Sequence, residues 1–526
     1  MNASTIQYQI GDKWMEHQID PAQSGAMTLA EWLEAHHIML NTRCGGRGLC
    51  QGCEVITAFG NQSRQRVKSC QTLIASLPEG RITLHIPQTS QRNLSLYGVS
   101  AFEVRPSDPL PRRFKEGIGL AVDVGTTTVA AALWDYTTGQ CLAHGARANA
   151  QRSYGDNVLA RISHAVEKTA GVRELQQALI HQSILPLLND LLQQAGIGAE
   201  AIVHGMAAGN TIMLHSLVGA PLDGFCRYPF KPLFIEGQNH SAGALGFPVD
   251  FPLMLPPGLG PFVGADIVVG ALAVGLLDAE SPALLIDFGT NGEILLKHRG
   301  GYLATATAAG PAFEGGRLSC GMPAGPGSIS SLSWANGDWQ FTLTGGNHHQ
   351  PRGITGAAYI DFLALAYQNG IMNAFGRFNR NHPAVSTGME DGETVAYVSI
   401  DLELRVTEVD IAELLQAKAA MGGGVAALLE EAGLAASDLR SVIVAGGFGY
   451  HLQPAHAIAI GLLPAVRPEI ISLVGNASLA GASLTLLHTM DKTMEQLRQT
   501  CRVVELNQVS SFENHYTDAL CLPDED

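Results

Sequence analysis

The sequence lacks any long apolar run and any recognisable export signal. No stretch of the 526 residues reaches about 18 apolar positions, the length that crosses a bilayer. The longest apolar stretch, residues 267–277, is shorter and contains two glycines. The first dozen residues have neither a basic segment nor an apolar core, so no secretory signal is expected. The sequence therefore predicts a cytoplasmic protein without a membrane span.

Charged residues are scarce, at 15% of the chain, and they are mostly acidic. The formal net charge of −16 disfavours nucleic acid and anionic membranes as partners. A hydrophobic content of 46% still supplies a substantial core, and the length suggests about three or four folding units. Glycine is frequent, with 59 residues, as expected where backbone must approach phosphate groups.

Four of the nine cysteines lie near the N-terminus: Cys44, Cys50, Cys53 and Cys70. The first three share a glycine-rich loop with C-x5-C-x2-C spacing, which suits the four-thiolate ligation of a [2Fe–2S] cluster. The loop glycines would let backbone amides turn towards the cluster sulfurs. A zinc site and unrelated buried cysteines are the alternatives, and the lack of a second C-x-x-C pair disfavours zinc. The other five cysteines show no ligand spacing.

The patterns along the chain predict a small α+β domain, a linker and a two-lobed α/β domain. Residues 1–86 have a β-grasp outline: a hairpin at 5–18, a capping box of Thr28 and Glu31, and strands at 53–57 and 81–86. Residues 87–116 are rich in proline and form the predicted linker. Apolar strands and helical stretches then alternate in a first lobe, residues 117–279, and a second lobe, residues 280–526.

Three strand-to-glycine turns carry the prediction of a nucleotide site. Asp123 ends an apolar strand and precedes Gly125 and three threonines. Such a turn presents N–H and hydroxyl donors to phosphate, and its carboxylate reaches a magnesium-bound water. The segment from Asp287 repeats this pattern, which implies two related lobes facing a cleft. The third turn, residues 445–449, follows another apolar strand.

These three turns, in this order, resemble the actin, sugar-kinase and Hsp70 superfamily of ATPases. The resemblance implies two lobes that close over Mg²⁺ and ATP, with Asp123 and Asp287 positioning the nucleotide and the attacking water. It assigns the phosphates to the first two turns and the adenosine to the third. The implied phosphate contacts are Thr126, Thr127, Gly289, Thr290 and Asn291, and the implied adenosine contacts are Gly446, Gly447 and Gly449.

The cysteine loop joined to this ATPase pattern resembles the family of reductive activators of corrinoid proteins. Other stretches similar to that family lie at residues 153–161, 209–215, 263–266, 309–315, 353–356 and 475–477. The resemblance implies an ATP-hydrolysing activase that passes one electron from a [2Fe–2S] ferredoxin domain to the inactive Co(II) of a corrinoid methyltransferase protein. It also implies an upstream electron donor and a homodimer. Thr355 stands where many relatives have cysteine, so no thiol role is expected there.

Other interpretations remain open at this point. A small-molecule kinase with a regulatory cluster would need a substrate pocket and a positioned base, and neither is visible in the sequence. A nucleotide-gated chaperone or scaffold with a redox sensor is a second alternative. An activator of a radical dehydratase would need cysteines within the ATPase part that this chain does not arrange. Glu314 is undecided between facing the cleft and being a solvated or capping carboxylate. Asn210 and Tyr154 are undecided between contacts to a nucleotide or partner and packing.

Overall fold

The computed structural model describes most of the chain in two compact units. The described residues are 5–10, 13–19, 27–35, 54–59, 65–78, 80–86, 112–155, 157–322, 324–325, 327–344, 350–390, 393–447 and 452–523. The first unit comprises residues 1–94, 324–331 and 341–353, and the second comprises residues 95–323, 332–340 and 354–526.

The first unit contains a mixed five-stranded sheet and a short helix. The strands are β1 (Thr5–Ile10), β2 (Lys13–Gln18), β3 (Glu54–Phe59), β4 (Gln65–Lys68) and β5 (Arg81–His85), in the order β2-β1-β5-β3-β4. Strand β1 pairs in parallel with β5, and the other neighbours are antiparallel. Helix α1 (Leu29–Ala35) follows the capping box, in which Thr28 and Glu31 exchange hydrogen bonds. The predicted hairpin and capping box are confirmed.

The second unit begins with a lobe built on a six-stranded sheet. Its strands are β6 (Ile118–Val124), β7 (Thr128–Asp135), β8 (Cys141–Ala148), β9 (Ile202–Gly209), β10 (Gln238–Ser241) and β11 (Pro252–Leu255), in the order β10-β11-β9-β6-β7-β8. Its helices are α2 (Val158–Glu167), α3 (Gly171–Leu179), α4 (Leu185–Ala195), α5 (Thr211–Val218), α6 (Ala242–Leu245) and α7 (Ala265–Ala273). Strand β6 lies parallel to β9 and forms an antiparallel hairpin with β7, so the chain turns sharply at residues 125–127.

The second lobe repeats this arrangement. The remaining strands are β12 (Ala283–Phe288), β13 (Gly292–His298), β14 (Gly301–Thr307), β15 (Ser328–Ala335), β16 (Asp338–Leu343), β17 (Gly353–Ile354), β18 (Val385–Glu390), β19 (Glu393–Ser399), β20 (Arg405–Thr407), β21 (Ser441–Ala445), β22 (Ile471–Gly475) and β23 (Cys501–Val503). Six of them form the sheet β22-β21-β12-β13-β14-β23. Strand β12 lies parallel to β21 and pairs antiparallel with β13, as β6 does with β9 and β7. The predicted internal repeat is therefore visible in the strand order.

The remaining elements are helices and two small sheets. The helices are α8 (Gly356–Gln368), α9 (Glu408–Glu431), α10 (Pro454–Ala459), α11 (Ala477–Leu487), α12 (Asp491–Thr500) and α13 (Phe512–Ala519). The small sheets have the strand orders β16-β15-β17 and β18-β19-β20. None of the described helices is long and apolar enough to cross a lipid bilayer.

Helices α7 and α11 pack against each other in the core between the two large sheets. Their apolar residues share one buried cluster with side chains of both sheets, such as Met206 and Leu285. The helices approach closely at Gly481, where any side chain would collide with the Val269 carbonyl. Because both helices begin next to the ends of β6 and β12, this packing fixes their N-terminal residues beside the two predicted phosphate turns.

A lysine is buried beneath the C-terminal segment of the second unit. Lys418, in α9, is 1% exposed, and its Nζ donates a 2.7 Å hydrogen bond to the Cys521 carbonyl. Burial lowers the pKa of Lys418 to about 8, because an interior of low dielectric disfavours the ammonium ion.

This lysine should make the fold more stable as the pH rises from about 8 to about 10.5. Over that range the folded protein holds Lys418 neutral while the unfolded chain still binds the proton, so proton release favours folding. Below pH 8 both states carry the charge, and the gain is lost. Chemical denaturation of the wild type and Lys418→Met across this range should show their stability difference changing by roughly 3 kcal/mol. A difference independent of pH would contradict this assignment.

Candidate functional site

The two predicted aspartates occupy matching positions in the two lobes. Asp123 is the penultimate residue of β6, and Asp287 is the penultimate residue of β12. Both strands are otherwise almost entirely buried near this end, and in each the aspartate is the residue that stays partly open. A strand covered on both faces is apolar, so a carboxylate at this position marks the point where the sheet edge meets a cleft.

Hydroxyl groups of the two turns meet across this cleft. The Oγ1 atoms of Thr127 and Thr290 lie 2.6 Å apart, and Thr290 donates a 3.0 Å hydrogen bond to Oε2 of Glu314. The contact between the two threonine hydroxyls fits a hydrogen bond in either direction. Glu314 ends the short 3₁₀ turn Pro311–Glu314. The structure thus brings together two predicted phosphate contacts from different lobes and adds a carboxylate to them.

The carboxylate of Asp123 is oriented by the start of helix α11. Asn476 Nδ2 donates to Asp123 Oδ2 at 2.9 Å, and Ser478 Oγ donates to Asp123 Oδ1 at 2.8 Å. Asn476 also caps the helix by accepting a hydrogen bond from the Leu479 N–H. Burial raises the pKa of Asp123, and these two hydrogen bonds act in the opposite direction. The side chain is therefore held in one orientation facing the cleft.

Further carboxylates surround Asp287. Burial, together with the charges of Asp266, Asp123 and Glu314, raises the pKa of Asp287 to about 8. Burial likewise raises the pKa of Asp266, in the first turn of α7, to about 7. Acids with pKa values this high stay largely protonated at neutral pH unless a counter-charge is present, and a bound divalent cation would favour their ionised form.

A fifth acid reaches the same site from β13. Glu293 lies directly opposite Asp287 in the β12–β13 ladder, and residues opposite each other share one face of a sheet. Its side chain is buried, and burial together with Asp266 and Asp287 raises its pKa well above the usual range. Asn210 of the first lobe donates to Glu293 Oε1 at 3.3 Å and to the Phe262 carbonyl at 3.0 Å. Asn210 is thus hydrogen-bonded to an acid of the cleft, and its contact with a nucleotide or partner stays a prediction.

Within the part of the chain that the structure describes, Tyr154 makes no hydrogen bond with these acids. Its ring packs on His164 with centroids 4.6 Å apart, which supports the packing interpretation. Burial raises the pKa of Glu314, and its hydrogen bonds with Thr127 and Thr290 and the positive charge of Arg152, close to Tyr154 in sequence, act in the opposite direction. A cation from the first lobe therefore acts on a carboxylate of the second lobe.

The third turn lies against the second. Gly446 has φ of +97°, and a side chain there would collide with the Phe288 carbonyl. Glycine is the residue that tolerates both conditions. Gly447 is open, with nothing within 4 Å of a Cβ placed on it, so a flat group can approach its backbone. Gly449 lies outside the described residues. Gly289 and Asn291 are partly exposed in the second turn.

Only one predicted cluster ligand falls within the described residues. Cys70 is 7% exposed in the short turn Ser69–Gln71, and the Gln71 amide lies 3.8 Å from its Sγ. Cys44, Cys50 and Cys53 lie outside the described residues. The arrangement of the four thiolates therefore stays a prediction.

Over the described part of the chain, no three His, Cys, Asp or Glu side chains converge to hold a metal ion directly. Magnesium sites commonly use one or two carboxylates together with water and substrate phosphates. The carboxylates of Asp123 and Asp287 are hard oxygen donors in an acidic cleft, and in that respect they fit such an ion.

Sequence reasoning missed several members of the site. Asp266 and Glu293 lie in or beside sequence stretches that resemble the family, but the sequence assigned neither residue a role. Asn476 and Ser478 become relevant only through their contacts with Asp123. One signal was available for Glu293: a turn of residues 289–291 between two strands sets it opposite Asp287. The others depend on how α7 and α11 pack, which the sequence does not show locally.

Two α/β lobes with repeated strand–turn–strand units, meeting through paired hydroxyls and carboxylates, define an ATPase domain of the ASKHA type. Family models agree: one described as the C-terminal domain of RACo, the ASKHA domain, matches residues 281–526, and one described as the RACo middle region matches residues 118–279. The chain belongs to the RACo family.

Individual relatives extend this comparison. The chain is 29% identical over 408 residues to the corrinoid activation enzyme RamQ of Eubacterium limosum, covering 72% of this chain and 66% of that protein. It is 24% identical over 393 residues to the [Co(II) methylated amine-specific corrinoid protein] reductase of Methanosarcina barkeri, covering 69% and 68%. The matches thus span about two thirds of these relatives. A solved reductive activator for corrinoid, iron-sulfur protein matches with a TM-score of 0.74 and 25% identity over 99% of both chains.

Proposed function

We propose that this protein is an ATP-dependent reductive activator, which returns the inactive Co(II) of a partner corrinoid protein to Co(I). The observation that carries the proposal is the 2.6 Å contact between Thr127 and Thr290, which brings both predicted phosphate turns into one acidic cleft. The relatives whose names refer to corrinoid activation and corrinoid reduction support the choice of substrate.

The cleft is proposed to bind ATP together with Mg²⁺. Asp123 and Asp287 would hold the ion through its water ligands, and the ion would neutralise the charge of the phosphates. Thr126, Thr127, Gly289, Thr290 and Asn291 would donate hydrogen bonds to phosphate oxygens, and Gly446 and Gly447 would lie against the adenosine. With a nucleotide bound, the hydroxyls of Thr127 and Thr290 would both donate to phosphate oxygens instead of contacting each other. The phosphates would then join the two lobes.

Glu314 is proposed to orient the water that attacks the terminal phosphate. It accepts a hydrogen bond from Thr290 and lies close enough to Asp287 to raise the pKa of that group. Because burial also raises the pKa of Glu314, its carboxylate is a better proton acceptor than an exposed one. Hydrolysis would then remove the terminal phosphate and release the contacts that joined the two turns.

Residues 1–86, within the first unit, are proposed to be a β-grasp ferredoxin domain whose cluster ligands are Cys44, Cys50, Cys53 and Cys70. A [2Fe–2S] cluster bound there would supply one electron at a time, at a potential near −400 mV if it resembles plant-type ferredoxins. Low exposure of Cys70 and the adjacent Gln71 amide fit a thiolate that is shielded from water and receives an N–H donor.

ATP is needed in this scheme because Co(I) lies at a lower potential than such a donor. An uphill step costs about 2.3 kcal/mol per 100 mV for one electron. Nucleotide binding can meet this cost only if the closed and open states of the lobes interact differently with the Co(II) protein. Because each turnover would pass one electron from the cluster to cobalt, the protein would need an upstream electron donor to reduce the cluster again. Assembly as a homodimer stays a prediction.

An anaerobic reduction assay tests the proposal. The reduced protein is mixed with a panel of purified Co(II) corrinoid proteins, with and without ATP, and Co(I) is followed by absorbance. We expect Co(I) to appear for at least one partner only when ATP is present. Phosphorylation of a metabolite without any corrinoid protein would instead identify a small-molecule kinase, and binding of unfolded proteins alone would identify a chaperone.

A further inference from the structure

The first phosphate turn is held from behind by one segment of the first lobe. Three successive carbonyl groups of the turn accept hydrogen bonds from two residues of that segment. Asn149 Nδ2 donates to the Gly125 carbonyl at 2.9 Å, and the Asn149 N–H donates to the Thr127 carbonyl at 2.9 Å. Between them, Arg161 Nη2 donates to the Thr126 carbonyl at 2.6 Å.

This arrangement decides where the N–H groups of the turn point. In a planar trans peptide the carbonyl of one residue and the N–H of the next point in opposite directions. With the carbonyls of Gly125 and Thr126 directed at Asn149 and Arg161, the N–H groups of Thr126 and Thr127 face away from that segment. Neither N–H donates to any other part of the chain that the structure describes. Unsatisfied backbone donors next to each other are a binding site for an anion.

The segment that holds the turn is itself fixed in the core. Arg161 is fully buried, and it also donates to the Gly155 carbonyl and to Gln151 Oε1, both at 3.0 Å. Gln151, also fully buried, donates from Nε2 to the Leu175 carbonyl of α3 at 2.9 Å. The turn thus rests on a chain of buried polar contacts. A donor array held in this way needs little reorganisation when the anion arrives.

We propose that Asn149 and Arg161 are positioning residues for phosphate binding: they hold the turn at residues 125–127 with its N–H groups directed into the cleft. The inference rests on the proposed nucleotide site and adds residues that do not touch the nucleotide. It differs from a purely structural role, in which the same contacts would only stabilise the β6–β7 hairpin. The two roles predict different dependence of affinity on the phosphate groups of the ligand.

Asn149→Asp is the most direct test. The aspartate keeps an oxygen to accept the Gln151 N–H, as Asn149 Oδ1 does at 3.0 Å, but it places an acceptor against the Gly125 carbonyl where a donor stood. We expect the Kd for ADP to rise about 10-fold or more, while the Kd for adenosine, measured by displacement of ADP, stays within about 2-fold. Calorimetry on the full-length protein with Mg²⁺ gives both values.

Two further variants make the result interpretable. Asn157→Asp is the matched control: it adds the same charge in the same segment and retains the cap that Asn157 Oδ1 provides to the Ala160 N–H, so the Kd for ADP should change little. Arg161→Lys keeps the charge but loses the planar fork, so it should weaken ADP selectively, as Asn149→Asp does. It also serves as the second probe if Asn149→Asp does not fold.

Three outcomes are distinguishable. Selective loss of ADP affinity in Asn149→Asp and Arg161→Lys supports the inference. Unchanged ADP affinity, or equal losses for ADP and adenosine, would overturn it while leaving the nucleotide site in place. A wild-type protein that binds no ADP would overturn the proposed function, and the inference with it.

Discussion

Replacing Asp287 by asparagine is expected to slow ATP hydrolysis at least about 100-fold and to abolish ATP-dependent cobalt reduction. The carboxylate lies at the end of β12 in a cleft shared with Asp123 and Asp266. An asparagine of nearly the same shape removes the negative charge that would hold a magnesium-bound nucleotide. Iron content should not change, because the predicted cluster ligands lie in another part of the chain.

The same substitution should make the metal-free, nucleotide-free protein more stable. Burial and neighbouring charges raise the pKa of Asp287 to about 8. A raised pKa favours folding at low pH, and this benefit is lost as the pH rises towards 8, because the unfolded chain releases the proton above its ordinary pKa of 3.8 while the folded protein still holds it. In EDTA, Asp287→Asn should therefore raise the melting temperature by at least about 2 °C at pH 8, and less at pH 5.

Asp135→Asn is the control for both effects. Asp135 is the last residue of β7 and accepts hydrogen bonds in an exposed turn, so its replacement removes the same charge far from the cleft. ATP hydrolysis should stay near the wild-type rate in this variant. An Asp287→Asn protein that hydrolyses ATP normally would remove Asp287 from the proposed catalytic group.

Replacing Cys70 by alanine should have the opposite effects from Asp287→Asn: iron is lost and ATP hydrolysis is kept. We expect the iron bound after reconstitution to fall well below two atoms per chain and cobalt reduction to disappear, because a [2Fe–2S] cluster needs four ligands. ATP hydrolysis should continue, since Asp123, Asp287 and Glu314 are untouched. Iron analysis and phosphate release on the same sample measure both properties.

Cys226→Ala provides the control for the cysteine change. Cys226 is exposed and has no ligand spacing in the sequence, so its removal should leave two iron atoms per chain. Full iron content in Cys70→Ala would show that Cys70 is not a ligand. Together with Asp287→Asn, the variant would separate electron delivery from nucleotide hydrolysis.

Much of the fold could be predicted because local signals agreed with the tertiary structure. The strands ending at Asp123, Asp287 and Ala445 are apolar runs followed by glycine turns, and such runs form buried strands wherever they pair. The capping box at Thr28 has a local physical cause and was equally readable. The predicted alternation of strands and helical stretches did not show that α3 and α4 are joined by the π-helical turn Ile180–Ile184, since apolar spacing alone does not reveal a change of hydrogen-bond pattern.

The site was less predictable than the fold. Its centre could be proposed because aspartates near the ends of apolar strands stand out in a sequence, and the roles of these aspartates stay predictions. The contributions of Asp266, Ser478 and Arg161 were not derivable, since they depend on helices packing beside turns that are distant in the chain. Glu293 shows the intermediate case: a register fixed by a short turn brings it opposite Asp287, and this becomes clear only once the pairing is known.

ATP-dependent electron transfer from the cluster to Co(II) can be tested in an anaerobic single-turnover experiment followed by electron paramagnetic resonance. The reduced protein is mixed with an equimolar Co(II) corrinoid partner, and the signals of the reduced cluster and of Co(II) are recorded before and after ATP addition. We predict that both signals are stable without ATP and that, once ATP is added, they fall together, one for one. Loss of the Co(II) signal without ATP, or with the cluster signal unchanged, would contradict it.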